Sequence, residues 1–256
     1  MTAEKANVLG VGISVIDQTR AREILIDAVR TGTRGYVAVA NVHSVSEAQR
    51  DGQLRDILNG ALLATPDGMP LVWMGRLQGH RSIRRVYGPD LLLNICEHSQ
   101  AAGFTHFFYG GAKGVAPRLA TALQARFPLL RVVGIYTPPF RPLDPTEREE
   151  LCARVAAARP DFFWVGLGMP KQEKFMAEFL PLLPGAKILL GVGAAFAFFT
   201  GEVKQAPRWM MGLGLEWLFR LAQEPRRLWH RYLVYNPLFL FRAMLQLLRL
   251  RRYSIE

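Results

Sequence analysis

From residue 8 to residue 191 the chain alternates short apolar runs with stretches of helical periodicity, and this alternation restricts the fold more than any other feature. The runs are Val8–Val11, Tyr36–Ala40, Leu62–Thr65, His106–Tyr109, Val132–Tyr136, Phe162–Val165 and Ile188–Gly191. Between them lie Arg20–Val29, Pro89–Ala101, Val115–Phe127, Thr146–Ala158 and Gln172–Leu182, where apolar residues recur at helical spacing. A strand that is apolar on both faces needs cover on both, and helices placed between successive strands supply it. The pattern predicts an α/β fold: a Rossmann-like, mostly parallel sheet flanked by helices. In such sheets ligands bind beyond the carboxyl ends of the strands, so the polar and glycine-rich turns there are the first candidates for a site.

After Gly201 the character changes. Pro207, Gly212, Gly214, Pro225 and Pro237 divide the remainder into short helical pieces rich in tryptophan, phenylalanine, leucine and arginine, ending in an apolar helix over Leu238–Leu250. The expected organisation is an α/β catalytic domain over residues 1–200 and a helical, basic, aromatic-rich appendage over residues 201–256. The formal charge of +11 is concentrated in that appendage. Ten basic residues between Lys204 and Arg252 are opposed only by Glu216 and Glu224, which calls for an anionic partner. Residues 1–6 carry no apolar signal region, and the longest apolar run, near Ile188–Phe199, is too short to span a bilayer. The expectation is therefore a protein neither secreted nor transmembrane. Cys96 and Cys152 have no CxxC or Cys/His surroundings and read as buried, reduced thiols.

Four turns carry candidate chemistry. In Thr65-Pro66-Asp67-Gly68-Met69-Pro70, Asp67 follows an apolar strand and precedes a proline that can open a helix. A carboxylate there could take a proton from a hydroxyl, with Thr65 beside it as a binding residue; an aspartate that caps the helix or shapes the turn has the same spacing. In Tyr109-Gly110-Gly111-Ala112-Lys113-Gly114, Gly110 and Gly111 would present backbone amides to a phosphate and Lys113 would add a charge. The loop is neither a Walker A sequence nor a GxGxxG fingerprint, and an ordinary tight turn reads equally well. In Gly166-Leu167-Gly168-Met169-Pro170-Lys171-Gln172-Glu173, Gly168 allows close backbone approach while Lys171 and Gln172 present donors at a helix start beside Glu173. In Arg81-Ser82-Ile83-Arg84-Arg85-Val86-Tyr87-Gly88, Arg85 lies nearest the turn and is the candidate fork for a diphosphate, whereas Arg81 and Arg84 read as surface charge.

In the appendage, Arg208, Arg220, Arg227 and Arg231 interleave with Trp209, Trp217, Phe219, Trp229 and Tyr232. Rings at headgroup depth and guanidinium groups on phosphates are what an interfacial element needs. Core helices with a charged face would show the same interleaving, but the charge bias favours an anionic membrane surface.

Taken in order, these strings resemble the WecG/TagA/CpsF family of bacterial glycosyltransferases. The resemblance runs from Asn41 and Ala48-Gln49-Arg50-Asp51 through Pro66-Asp67-Gly68, Arg85-Val86-x-Gly88-x-Asp90 and Tyr109-Gly110-Gly111. It continues through Gly168-x-Pro170-Lys171-Gln172-Glu173, Gly191-Val192-Gly193-Ala194, Ala206-Pro207-Arg208-Trp209 and Gly214-Leu215-Glu216-Trp217-Leu218-x-Arg220-Leu221. It implies an inverting transfer of N-acetylmannosamine, its uronic acid or glucose from a UDP-sugar to an undecaprenyl-diphosphate-linked saccharide, in wall-polymer or exopolysaccharide synthesis at the inner face of the cell membrane. It implies Asp67 as the base; Arg85, Asn41 and Gln172 in the pocket; and Arg220, Arg227 and Arg231 in the appendage facing nucleotide or acceptor diphosphate. It implies no cofactor. Two positions depart from the family: Val39 stands where some members carry threonine, and Ala197 where many carry aspartate, which bears on sugar identity.

The chain contains no Asp-x-Asp pair, so no essential metal is expected. His43, just after Asn41, could shape specificity or simply be a solvated loop residue. A nucleotide- or dinucleotide-binding oxidoreductase would need a proper fingerprint and a ribose-binding acid, and both are missing. A nucleic-acid-binding protein would need a recognisable module; none is present, and the tail's leucines and tryptophans suit lipid better. The expected partners are a UDP-sugar, a lipid-linked acceptor and an anionic membrane, not nucleic acid; a homo-oligomer stays open.

Overall fold

The computed structural model describes residues 3–255. In chain order the elements are β1 (Lys5–Val8), β2 (Val11–Ser14), α1 (Gln18–Thr31), β3 (Gly35–Ala40), α2 (Val42–Glu47), α3 (Gly52–Asn59), β4 (Leu63–Pro66), α4 (Met69–Leu77) and α5 (Gly88–Ala102). There follow β5 (Thr105–Gly110), α6 (Val115–Arg126), β6 (Arg131–Tyr136), α7 (Pro145–Ala158), β7 (Phe162–Gly166), α8 (Lys171–Phe179), β8 (Ile188–Gly191) and α9 (Ala195–Phe199). The last four helices are α10 (Arg208–Gly212), α11 (Glu216–Gln223), α12 (Pro225–Leu233) and α13 (Tyr235–Leu247).

Six strands form one sheet in the order β4-β3-β8-β7-β5-β6, and β1 and β2 form a separate hairpin. Pairing is parallel at β3–β8, β7–β8, β5–β7 and β5–β6. The expected α/β architecture, a largely parallel sheet flanked by helices with further helices at the C-terminal end, is what the chain adopts. By contact density the chain divides into two units. One comprises Met1–Gln18, Val39–Tyr87 and Lys204–Glu256, the other Thr19–Ala38 and Gly88–Val203. The division passes through β3, whose last two residues belong to the first unit.

The second unit owes its core to aromatic strands. Phe107 stacks on Phe163 with ring centroids 5.0 Å apart, Tyr109 on Phe175 at 4.4 Å, and Phe175 on Phe179 at 4.3 Å, so α8 is packed against β5 and β7 by rings. Trp164 donates its indole N–H to Nδ1 of the fully buried His106 at 3.0 Å, and burial holds that imidazole down to about 3. Gly110 takes φ +120°, and a Cβ there would fall 2.7 Å from the Gly166 backbone, so β5 and β7 close together only because this position is glycine. Asp144 opens α7 with a full capping box to Glu147 and Pro145 in the first turn.

Three expectations are corrected. The run Val8–Val11 is not a strand but the turn of a hairpin: Leu9 and Gly10 take φ 53° and 82°, the paired positive values that a two-residue hairpin loop requires. Pro237 does not break a helix but sits in the first turn of α13, where its missing N–H would have no intrahelical partner. Cys152 is half-exposed, while Cys96 is buried as expected.

Candidate functional site

The first unit contains a cavity of about 290 Å³ at the carboxyl ends of β3 and β4. Its walls include Asn41, His43, Asp67, Trp73, Arg85, Glu216, Arg220, Arg231, Tyr232 and Phe239. The two strand ends are tied directly, because the Asp67 N–H donates to the Ala40 carbonyl at 2.9 Å. Chain therefore leaves both strands at one place, delivering Asn41 and Asp67 to the same wall.

Asn41 is the N-cap of α2. Its Oδ1 accepts the N–H groups of His43 and Ser44 at 3.0 and 3.2 Å, while Ser44 Oγ accepts the Asn41 N–H at 2.8 Å. With Oδ1 engaged in the cap, the amide nitrogen is the group left for a ligand. The N-cap of α4 is Gly68, which has no side-chain cap bond, and Asp67 stands one residue before it.

Arg85 gathers the acids. Its Nε–H donates to the Asp67 carbonyl, and its Nη2 stands 3.4 Å from Asp67 Oδ1 and 2.5 Å from Glu216 Oε2. The three side chains are 17%, 19% and 16% exposed, respectively. Burial works against the Arg85 charge, but Asp67 and Glu216 outweigh it and raise its pKa. The Arg85 guanidinium also lies 4.5 Å from the centre of the Tyr87 ring, and the Tyr87 hydroxyl reaches Glu216 Oε1 at 3.4 Å. Burial, then the Glu216 and Asp67 charges, push the Tyr87 phenol up, so it stays neutral.

Arg231 brings a further cation into the wall. Burial lowers its pKa, neighbouring Arg220 and Arg227 lower it further, and its buried Nε has no hydrogen-bond partner. An incompletely satisfied guanidinium in a cavity is a ready receptor for an anion. His43, also in the wall, is held down to about 4 by burial and by Arg231, so it is neutral at physiological pH.

The structure separates the remaining sequence candidates from this cavity's lining. Thr65 is fully buried, and its Oγ1 has no partner. Arg208 and Arg227 are exposed, and Arg227 pairs with Glu224 at 2.5 Å. Gly110, Gly111, Lys113, Gly168, Lys171, Gln172 and Glu173 belong to the second unit. There the Gly111 N–H is committed to the Gly166 carbonyl at 2.9 Å, and Lys113 and Lys171 are exposed. Gln172 turns inward rather than presenting a donor outward: its amide bonds the Gly191 carbonyl and Glu173 Oε1, both at 3.0 Å, leaving its buried Oε1 without a partner. Among the described residues no group of three or more His, Cys, Asp or Glu side chains is placed to hold a metal ion.

In the sequence Glu216 stands as a charge opposing the arginines and as part of the Gly214–Leu221 string, and Tyr87 as part of the Arg81–Gly88 turn, neither with a role of its own, while Trp73 carries no signal. Hydropathy and spacing report which face is buried; they do not report which buried polar groups meet across more than a hundred residues.

The model of the glycosyl transferase WecG/TagA/CpsF family matches residues 6–253. The chain belongs to that family. Similar proteins include one from Bacillus subtilis (strain 168), named N-acetylglucosaminyldiphosphoundecaprenol N-acetyl-beta-D-mannosaminyltransferase, 32% identical over 197 residues, or 77% of this chain and 74% of the relative. Another of the same name, from Bacillus spizizenii (strain ATCC 23059 / NRRL B-14472 / W23), is 31% identical over 198 residues with the same coverage. The family places a sugar-transfer activity on this fold, and the cavity is where acid and cation groups suited to it converge.

Proposed function

We propose that this glycosyltransferase moves N-acetylmannosamine from a UDP-sugar to an N-acetylglucosaminyl-diphosphoundecaprenol acceptor, with inversion, in cell-surface polysaccharide synthesis. The observation that carries the reading is the cavity wall in which Asp67 stands beside Arg85, with Arg231 close enough to feel its charge. The acceptor named for the two Bacillus relatives supports the lipid-linked half of the reaction.

Asp67 takes the proton of the acceptor hydroxyl as its oxygen bonds to the anomeric carbon of the donor sugar. The bond between that carbon and the β-phosphate oxygen breaks, and UDP leaves with the electron pair. A leaving diphosphate gains negative charge at that moment, and Arg85, Arg220 and Arg231, which line the cavity, are the donors that meet it. Asn41, in the same wall, contributes a hydrogen bond to the sugar. No metal is required, because the arginines supply the positive charge.

Residues 201–256 act as an appendage that docks on the inner face of the membrane. No described helix is long and apolar enough to cross a bilayer. On α13, Leu240, Phe241, Met244 and Leu247 are nonetheless exposed, at spacings that share one helix face, and Leu248 just beyond it is exposed too. Trp209 and Trp229 are 64% and 53% exposed among arginines, the composition of an interfacial element. Trp73, Leu213 and Leu240 line the cavity and are also exposed, so its apolar wall is suited to the first units of a lipid chain.

The test is incubation with a panel of UDP-sugars and short-chain lipid-diphosphate N-acetylglucosamine, with products read by mass spectrometry. Addition of one N-acetylhexosamine mass, dependent on UDP-N-acetylmannosamine and insensitive to chelator, is expected. Product from another donor class alone would refute the donor assignment.

A further inference from the structure

Arg85 carries five N–H donors, and the protein uses one edge of the guanidinium. Nε–H is taken by the Asp67 carbonyl, and Nη2 is shared between Asp67 Oδ1 and Glu216 Oε2. Among the described residues nothing accepts from Nη1, so that corner is what Arg85 offers to a ligand in the cavity. Which way the corner faces is decided by what grips the opposite edge. The shorter of the two side-chain contacts comes from Glu216, at 2.5 Å against 3.4 Å from Asp67.

Glu216 is itself fixed. Its other oxygen, Oε1, accepts from the Tyr87 hydroxyl at 3.4 Å, and the Tyr87 ring lies under the Arg85 guanidinium. It stands at the start of α11, which has no side-chain cap of its own. An anion in the first turn complements the helix dipole, and the same carboxylate pairs with Arg85. A planar fork between one carboxylate and one phenol ring has little rotational freedom, and pre-organisation of this kind is what positions a charge at a reacting centre.

We infer that Glu216 is a positioning residue for the transfer reaction, clamping Arg85 through Nη2 and with Tyr87 so that Nη1 is presented to the diphosphate of the donor. This rests on the reading of the donor as a UDP-sugar. In this arrangement Glu216 touches no substrate, and its effect passes through Arg85 alone.

A double-mutant cycle on kcat/KM tests this, using wild type, Glu216→Gln, Arg85→Lys and the double variant, each checked by thermal melting so that a fold defect is recognised. Glutamine keeps the shape and removes the charge. The expected result is a loss of about 10-fold for Glu216→Gln, while adding it to Arg85→Lys costs less than about 2-fold more. Tyr87→Phe, which removes the hydroxyl hold on Glu216, should lose activity in the same non-additive way and serves if the glutamine variant melts early. Losses that multiply, or Glu216→Gln activity equal to wild type, would overturn the inference. Calorimetric titration of the wild type with UDP separates the two claims. Absence of UDP binding would count against the donor reading, whereas the kinetic cycle judges Glu216 whichever donor is used.

Discussion

Arg85 holds Asp67 at two points, through a hydrogen bond to its main-chain carbonyl and through a 3.4 Å contact between Nη2 and the carboxylate Oδ1. The fork fixes the turn that carries the acid as well as the acid itself. Lysine could reach one of these acceptors but not both, so Arg85→Lys should lower kcat/KM by about 100-fold while the protein remains folded. Steady-state kinetics with a melting curve checks this; a loss confined to the melting temperature would assign Arg85 to structure.

Arg231 should show opposite effects on stability and binding. Its Nε has no partner, and burial and two neighbouring arginines disfavour its charge. Replacing such a group by an apolar one of similar length commonly stabilises, so Arg231→Met should raise unfolding free energy by about 1 kcal/mol. The same change should weaken UDP binding about 10-fold by removing a charge-assisted donor. Denaturant unfolding and calorimetry on one preparation report both.

The exposed tryptophans of the appendage should govern membrane binding without governing chemistry. Trp209→Ser with Trp229→Ser should reduce partitioning onto anionic liposomes about 10-fold, and binding should weaken further as salt rises. Turnover of a soluble short-chain acceptor should stay near wild type. Co-sedimentation at two salt concentrations provides the comparison.

His43 and His106 set an acid limit to stability. Both imidazoles are held neutral in the folded chain, His43 at about 4 and His106 at about 3, against an ordinary value near 6.5 in the unfolded chain. Below pH 6.5 the unfolded state binds protons that the folded state refuses, so stability falls as pH drops from about 6.5 toward 4. His43→Asn should remove part of that slope, leaving the part due to His106, when unfolding free energy is followed across this range. An unchanged slope would mean that His43 is solvated.

The sheet was legible because Gly35–Ala40, Phe162–Gly166 and Ile188–Gly191 are apolar at nearly every position, and only a sheet covered on both faces accommodates that. The hairpin at Leu9-Gly10 was not, because Val-Leu-Gly-Val reads as continuous strand until a partner fixes the turn. Asp67 and Arg85 were legible as strand-end and loop residues, and the ordered motif set linked them to one chemistry. Glu216 was not legible, because its role depends on a partner 131 positions away in the chain. At a helix start Gln172 suggests an outward donor, whereas the Gly191 carbonyl, opened by the missing side chain there, draws its amide inward.

The role of Asp67 as the base is tested most directly by single-turnover transfer by Asp67→Asn beside a UDP titration of the same protein. Asparagine preserves the shape and hydrogen-bonding reach of the side chain but cannot take the proton. Transfer should fall by about 1,000-fold while the UDP dissociation constant stays within about 3-fold of wild type. Transfer by Asp67→Asn within about 10-fold of wild type, at unchanged UDP affinity, would contradict the assignment.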